Sequence, residues 1–128
     1  MKNEITSIKD PLVIEARSLQ TSHGRLEAQK FLLEGFEQIF WSLESDCKLE
    51  HVFVHDKQKE HPAIEKLKSS NIPLYFASDG ILKKITDTSY LTPFVGVAQF
   101  PKRPSHKQSD LAVVLDGVSD FGNVGTIV

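Results

Sequence analysis

Short runs rich in Val, Ile, Leu and Phe alternate along this chain with segments whose apolar residues recur at helical spacing. Phe31-Leu32-Leu33 reads as a short buried strand, and Leu49–His55, residues 72–77 and residues 94–100 read as further strands. The helices announce themselves between them. Asp10-Pro11 is a capping residue followed by proline at the first helical position; Val13, Ala16 and Leu19 follow, up to a break at Ser22-His23-Gly24. After the Glu34-Gly35 turn, Phe36, Ile39, Phe40 and Leu43 stand at i, i+3, i+4 and i+7, with Trp41 beside the stripe. Pro62 opens another helix with Ala63, Ile64 and Leu67, ended by Ser69-Ser70-Asn71. Ser78 is placed to cap a helix over residues 79–86, with Ile81, Leu82 and Ile85 inward. Strands alternating with helices predict an α/β layered domain.

The 128 residues suffice for about one domain of ordinary size. Apolar residues at 40% and charged residues at 25% exclude wholesale disorder, collagen and coiled coil. No apolar run approaches the roughly 18 residues of a membrane span, and the N-terminus has no secretory h-region. The single Cys47 cannot form an internal disulfide, which places the chain in a reducing cytoplasm. The net charge of −2 is no basic footprint. Its distribution is uneven. Residues 36–56 carry Glu37, Glu44, Asp46, Glu50 and Asp56 against Lys48, whereas Lys57, Lys59, Lys66 and Lys68 follow against Glu60 and Glu65.

The composition shifts at residue 101. Residues 101–109 hold two prolines and no apolar side chain, and residues 101–110 read as a linker. Leu111-Ala-Val-Val-Leu115 then forms an apolar run of the kind buried on both faces of a parallel sheet. Residues 116–125 form a loop, with Gly122-Asn123-Val124-Gly125 ahead of an apparent helix at Thr126. Residues 111–128 are too short for a core of their own and are expected to open a second domain. The glycines let backbone approach a ligand, but the loop is neither a dinucleotide fingerprint nor a P-loop; a plain glycine-rich turn fits equally well.

Taken whole, LAVVLDGVSDFGNVGTIV resembles the first motif of the SpoU (TrmH-like) branch of the knotted SPOUT RNA methyltransferases. There, a buried strand ends in Leu-Asp and a loop leads to Gly-Asn-x-Gly-[Thr/Ala]-Ile-[Ile/Val]-Arg. Ile5-Thr6-Ser7, Asp10-Pro11-Leu12-Val13, Arg25 and Phe31-Leu32-Leu33-Glu34-Gly35 resemble that family's N-terminal domain, as do Thr92-Pro93 and Gly96-Val97-Ala98. The chain departs from the pattern at Asp10, where asparagine is common, and at Phe121, where proline is common.

The resemblance implies residues 1–100 as an RNA substrate-binding domain. Its fold would be an α/β/α sandwich like the ribosomal proteins that bind kink-turn RNA. Residues 111–128 would begin a trefoil-knot domain that binds S-adenosylmethionine and forms a homodimer. The implied reaction is methyl transfer to a ribose 2′-hydroxyl of rRNA or tRNA. Asn123 is the catalytic-motif residue implied within this sequence, the family's arginine falling after Val128; the 128 residues alone are expected to be inactive.

Within this frame the RNA-binding candidates are Arg17, Arg25, Lys30, Glu34 and Gly35. Arginine pairs bidentately with phosphate, and the helix after Gly35 offers N–H groups. Arg25 could equally pair with Glu27 or Glu34, and Glu34 could accept from a base or cap the helix. Lys102, Arg103 and Lys107 could meet RNA or simply be solvated. Asp116, Gly122 and Gly125 belong to the motif loop, with Asp116 holding it through backbone N–H groups. Phe36, Phe40 and Phe53 have core spacing; Tyr75, Phe76, Tyr90 and Phe94 could include a base-stacking ring. His23, His51, His55, His61 and His106 show no metal spacing and are expected at the surface. Two alternatives stand beside this reading. One is a stand-alone kink-turn-type RNA-binding module without catalytic activity. The other is a nucleotide-binding fragment using Gly122–Gly125.

Overall fold

A computed structural model describes residues 3–102 and 110–127. Its strands are β1 (Glu4–Ile5), β2 (Lys30–Glu34), β3 (Leu49–His55), β4 (Leu74–Ala77) and β5 (Phe94–Gln99). Its helices are α1 (Pro11–Ser18), α2 (Ser22–Ala28), α3 (Phe36–Leu43), α4 (Pro62–Ser69), α5 (Asp79–Thr86) and α6 (Phe121–Ile127). The strands form one sheet in the order β1-β4-β3-β5-β2. Strands β1, β4 and β3 are parallel; β5 runs antiparallel to both β3 and β2, so β2 shares the direction of β3.

Helices cover both faces, giving the expected α/β/α sandwich. On one face Val13, Ala16 and Leu19 of the α1 region and Ile81, Leu82 and Ile85 of α5 pack on Phe53, Val95 and Val97. On the other, Ile39 of α3 and Ala63, Ile64 and Leu67 of α4 pack on Val52, Val54, Phe94 and Ala98. The period-2 alternation of β3 and β5 feeds both cores.

The helix starts follow the sequence. The Asp10 carboxylate accepts from Leu12 N at 2.9 Å, with Pro11 behind it. His61 does the same for α4, its Nδ1 accepting from Ala63 N at 3.1 Å. Ser78 occupies the N-cap of α5, but its side chain makes no capping bond.

Several expectations need correction. Ser22-His23-Gly24 is no break: it is the first turn of α2, with Thr21 Oγ1 accepting from Gly24 N at 3.0 Å. Gly24 permits the tight turn, since a Cβ there would lie 1.9 Å from the Ser18 carbonyl oxygen. Residues 72 and 73 precede β4, and Phe100 lies beyond β5. Phe36 is 41% exposed, because it lies at the helix rim, edge-on to Phe40. His51 and His55 are buried, because β3 is the central strand covered on both faces. Tyr75 and Phe76 face opposite cores, each half-buried.

Leu111–Leu115 forms no strand, and Val114 is 86% exposed. Gly122, Asn123 and Gly125 lie inside α6 rather than in a loop before it. Asp120 starts the helix early, its Oδ1 accepting from Asn123 N at 3.1 Å. Arg103, His106, Lys107 and Val128 lie outside the described residues, as does most of the expected linker.

Candidate nucleic-acid interface

Strands β1, β4, β3 and β2 all end at one edge of the sheet, and α1, α5, α4 and α3 begin there or just beyond. Helix N-termini present backbone donors, so this edge is suited to anionic groups. The Glu34-Gly35 turn belongs to it. Gly35 has φ 109° and ψ 157°, a conformation that glycine tolerates, and is the N-cap of α3; its N–H donates to the Phe94 carbonyl at 2.9 Å. No side chain caps α3. Glu34 therefore does not cap the helix, and burial pushes its carboxyl above the usual range.

At the same edge Lys59 Nζ lies 2.8 Å from Glu4 Oε1 and 5.3 Å from the Phe76 ring centre. These residues, with Thr6, Asp56 and Ser78, line a cleft of about 340 Å³. Lys9 and Lys57 are exposed nearby in sequence. The run of lysines in the sequence was the signal for Lys59; its place at the strand ends required the topology.

A second cleft lies along α1, α2 and β2. Arg25 and Glu34 line it with Leu19, Gln20, Leu32 and Asp87, and Phe121 and Gly122 of the tail reach it. Three expected site residues, Arg25, Glu34 and Gly122, thus line one cleft. Arg25 pairs with neither Glu27 nor Glu34. Its Nη1 donates to the carbonyls of Leu19 and Gln20 at 2.9 and 3.0 Å, and Nη2 donates to Ser22 Oγ at 3.2 Å. Gln20, which the sequence did not single out, donates from Nε2 to the carbonyls of Lys84, at 3.0 Å, and Ile85. Both side chains satisfy carbonyls near helix C-termini, which need such donors.

Arg17 and Lys30 are not in this cleft. Arg17 is exposed on α1, and its side chain makes no hydrogen bond or ion pair among the described residues. Lys30 begins β2 and turns inward, its Nζ 2.6 Å from Glu15 Oε1 and 2.8 Å from Glu50 Oε2. Gln99 Nε2 donates to Glu50 Oε1 at 2.6 Å. Burial works against the Lys30 charge, yet the bonds to Glu15 and Glu50 outweigh it and raise its pKa. His51 lies close by, 5% exposed, with its Nε2 lacking a partner among the described residues.

Asn123 is exposed on α6 and, among the described residues, Asp116 accepts from no backbone N–H; Asp120 does so instead. A Cβ added to Gly117 or Gly125 would meet open space. The described tail residues therefore do not by themselves form a cradle that fits S-adenosylmethionine. Among the described residues no helix is long and apolar enough to cross a membrane.

A family model described as the MRM3-like substrate binding domain matches residues 10–93. An uncharacterized tRNA/rRNA methyltransferase of Synechocystis sp. is 29% identical over 129 positions, covering 97% of this chain and 47% of that protein. The chain thus spans about half the length of this curated relative. Among solved structures, an RNA 2′-O ribose methyltransferase superposes with a TM-score of 0.78 at 23% identity, over 97% of this chain and 49% of that one. A putative TrmH-family RNA methyltransferase from Porphyromonas gingivalis gives 0.69 at 23% identity, over 95% and 47%. The SpoU methyltransferase AviRb from Streptomyces viridochromogenes, solved with AdoMet, gives 0.59 at 15% identity, over 73% and 37%. At these identities the likeness is one of fold.

Proposed function

The chain belongs to the MRM3-like substrate-binding domain family, and from that premise we propose that residues 1–100 are the RNA-recognising part of an S-adenosylmethionine-dependent rRNA or tRNA ribose 2′-O-methyltransferase. The family match across the folded domain carries this reading. The Synechocystis relative, named as a tRNA/rRNA methyltransferase, supports it. Residues 111–128 then open the methyltransferase domain. Their exposed apolar side chains are those that a neighbouring sheet would cover. The whole protein is a cytoplasmic homodimer joined through that domain.

In this reading the chain's own residues bind and orient RNA. Arg17, whose side chain has no partner among the described residues, takes a phosphate. The backbone N–H groups after Gly35 take another, at the uncapped start of α3. Arg25 is fixed by its carbonyl bonds and keeps its Nε–H for the ligand. Glu34, at the rim of the same cleft, accepts from an exocyclic amine of a base. The cofactor supplies the methyl group, and its site is a matter for the further domain, where Asn123 would brace the motif.

The test is fluorescence anisotropy of the 128-residue chain with a labelled kink-turn hairpin at several salt concentrations. A methyl-transfer assay with labelled S-adenosylmethionine runs beside it. The reading expects RNA binding that weakens with salt and no methyl transfer by this chain alone. Absence of RNA binding would overturn it. Methyl transfer by the 128 residues would overturn the division of labour between the two parts.

A further inference from the structure

Strand β2 lies at the end of the sheet, and among the described residues nothing pairs with its outer side. We propose that this edge is a self-association surface, at which two copies of the chain pair β2 against β2, antiparallel and centred on Leu32. The proposal goes beyond RNA methylation and does not depend on it.

The backbone sets the register. Gly35 N donates to the Phe94 carbonyl, and Phe100 N donates to the Gln29 carbonyl. Hydrogen-bonded residues alternate along an antiparallel ladder, so Phe31 and Leu33 also bond inward to β5. Lys30, Leu32 and Glu34 point their N–H and C=O groups outward. Antiparallel pairing about Leu32 lets Leu32 exchange both bonds with its copy, and Lys30 with Glu34 of the second chain.

The side chains of Lys-Phe-Leu-Leu-Glu are complementary in that arrangement. Each Lys30 meets a Glu34, and Phe31 meets Leu33, as a two-fold contact requires. Lys30 carries three donors; Glu15 and Glu50 take two, so one remains for the Glu34 carboxylate of the second copy. Glu34 has no cation partner among the described residues, and burial raises its pKa.

Natural edges are usually blunted by a projecting lysine, a proline or a bulge. None acts here: β2 has no proline and pairs with β5 in unbroken register, and Lys30 is drawn inward. On the α3 side an apolar groove of about 300 Å³ borders the edge, lined by Phe31, Leu33, Trp41 and Cys47. Trp41 is 63% exposed. A two-fold axis normal to the sheet sets the two grooves side by side, so each copy covers the other's. Pairing would also occupy Glu34, so self-association and RNA compete for that residue.

The experiment is sedimentation velocity of the 128-residue chain over a concentration series without RNA, with amide exchange read at low and high concentration. The expected result is a dimer with Kd below about 1 mM. Exchange of the Leu32 and Glu34 amides slows at high concentration, while that of Phe31 and Leu33 stays unchanged. Trp41, the one tryptophan of the sequence, shifts its emission to the blue on association. Glu34→Pro removes an outward N–H and leaves the β5 ladder whole; it is expected to weaken dimerisation by at least about tenfold, with wild-type circular dichroism. Glu34→Gln keeps the N–H and is expected to weaken it less. A chain that stays monomeric throughout overturns the proposal. So does a dimer whose Leu32 amide is unprotected, which would point to another surface such as the exposed tail. If Glu34→Pro fails to fold, Glu34→Gln with the exchange data decides.

Discussion

The guanidinium of Arg25 holds the Leu19 carbonyl at 2.9 Å, tying α2 back onto the residue that ends α1. The same group reaches the Gln20 carbonyl, so one side chain replaces the partners that a helix end lacks. Arg25→Ala should lower stability by about 1–2 kcal/mol, since it strands half-buried carbonyls. Urea unfolding of the variant reads this directly. An unchanged midpoint would show that water satisfies those carbonyls equally well.

Lys30 separates two carboxylates. Lys30→Met keeps the stem but leaves Glu15 and Glu50 facing each other, partly screened by solvent. We expect a loss of about 1–2 kcal/mol, most of it recovered in the Lys30→Met/Glu50→Gln double variant. A double-mutant cycle showing no coupling would contradict this geometry.

His51 predicts the pH dependence. Burial holds its pKa below 6.5, with Glu15 and Glu50 opposing and Lys30 reinforcing the shift. The unfolded imidazole takes up a proton as pH falls through about 6.5 while the folded one resists. Stability is therefore complete above that value and declines below it until the folded imidazole also protonates. A further loss sets in as pH falls through 4.5. Burial opposes ionisation of Glu50, but the bonds from Lys30 and Gln99 outweigh it and lower its pKa. Unfolding measured between pH 5 and 7.5 should lose its slope in His51→Leu; a slope that persists unchanged would implicate another group.

Two glycines should respond in opposite directions. Gly24→Ala drives a methyl into the Ser18 carbonyl and should cost about 1–3 kcal/mol. Gly80, inside α5, has nothing within 4 Å of an added Cβ, and Gly80→Ala should gain about 0.5–1 kcal/mol from helix propensity. Thermal melts of the pair check both signs.

What was legible in the sequence had local causes. Asp10-Pro11 and Pro62 fixed two helix starts because caps act over three residues. The β3 and β5 patterns showed because the central strands are apolar on both faces. Ser22-His23-Gly24 misled because its glycine answers a carbonyl from the preceding helix, a contact with no local trace. The inward turn of Lys30 depends on Glu15 and Glu50, residues 15 and 20 positions away that only the packing of α1 on the sheet brings together. The site was half legible for the same reason. Arg25 and Glu34 do share a cleft, but Gln20 and Lys59 owe their places to the tertiary fold.

Because the sheet divides the interior, α1 and α5 share no core with α3 and α4. Truncations on opposite faces, such as Leu82→Ala and Leu67→Ala, fall in separate cores and should add, whereas two on one face should couple. Each side of the wall can then drift in sequence without asking the other for compensation. Relatives of this domain are free to keep one helical layer nearly fixed, for whatever it touches, while the opposite layer changes almost at will.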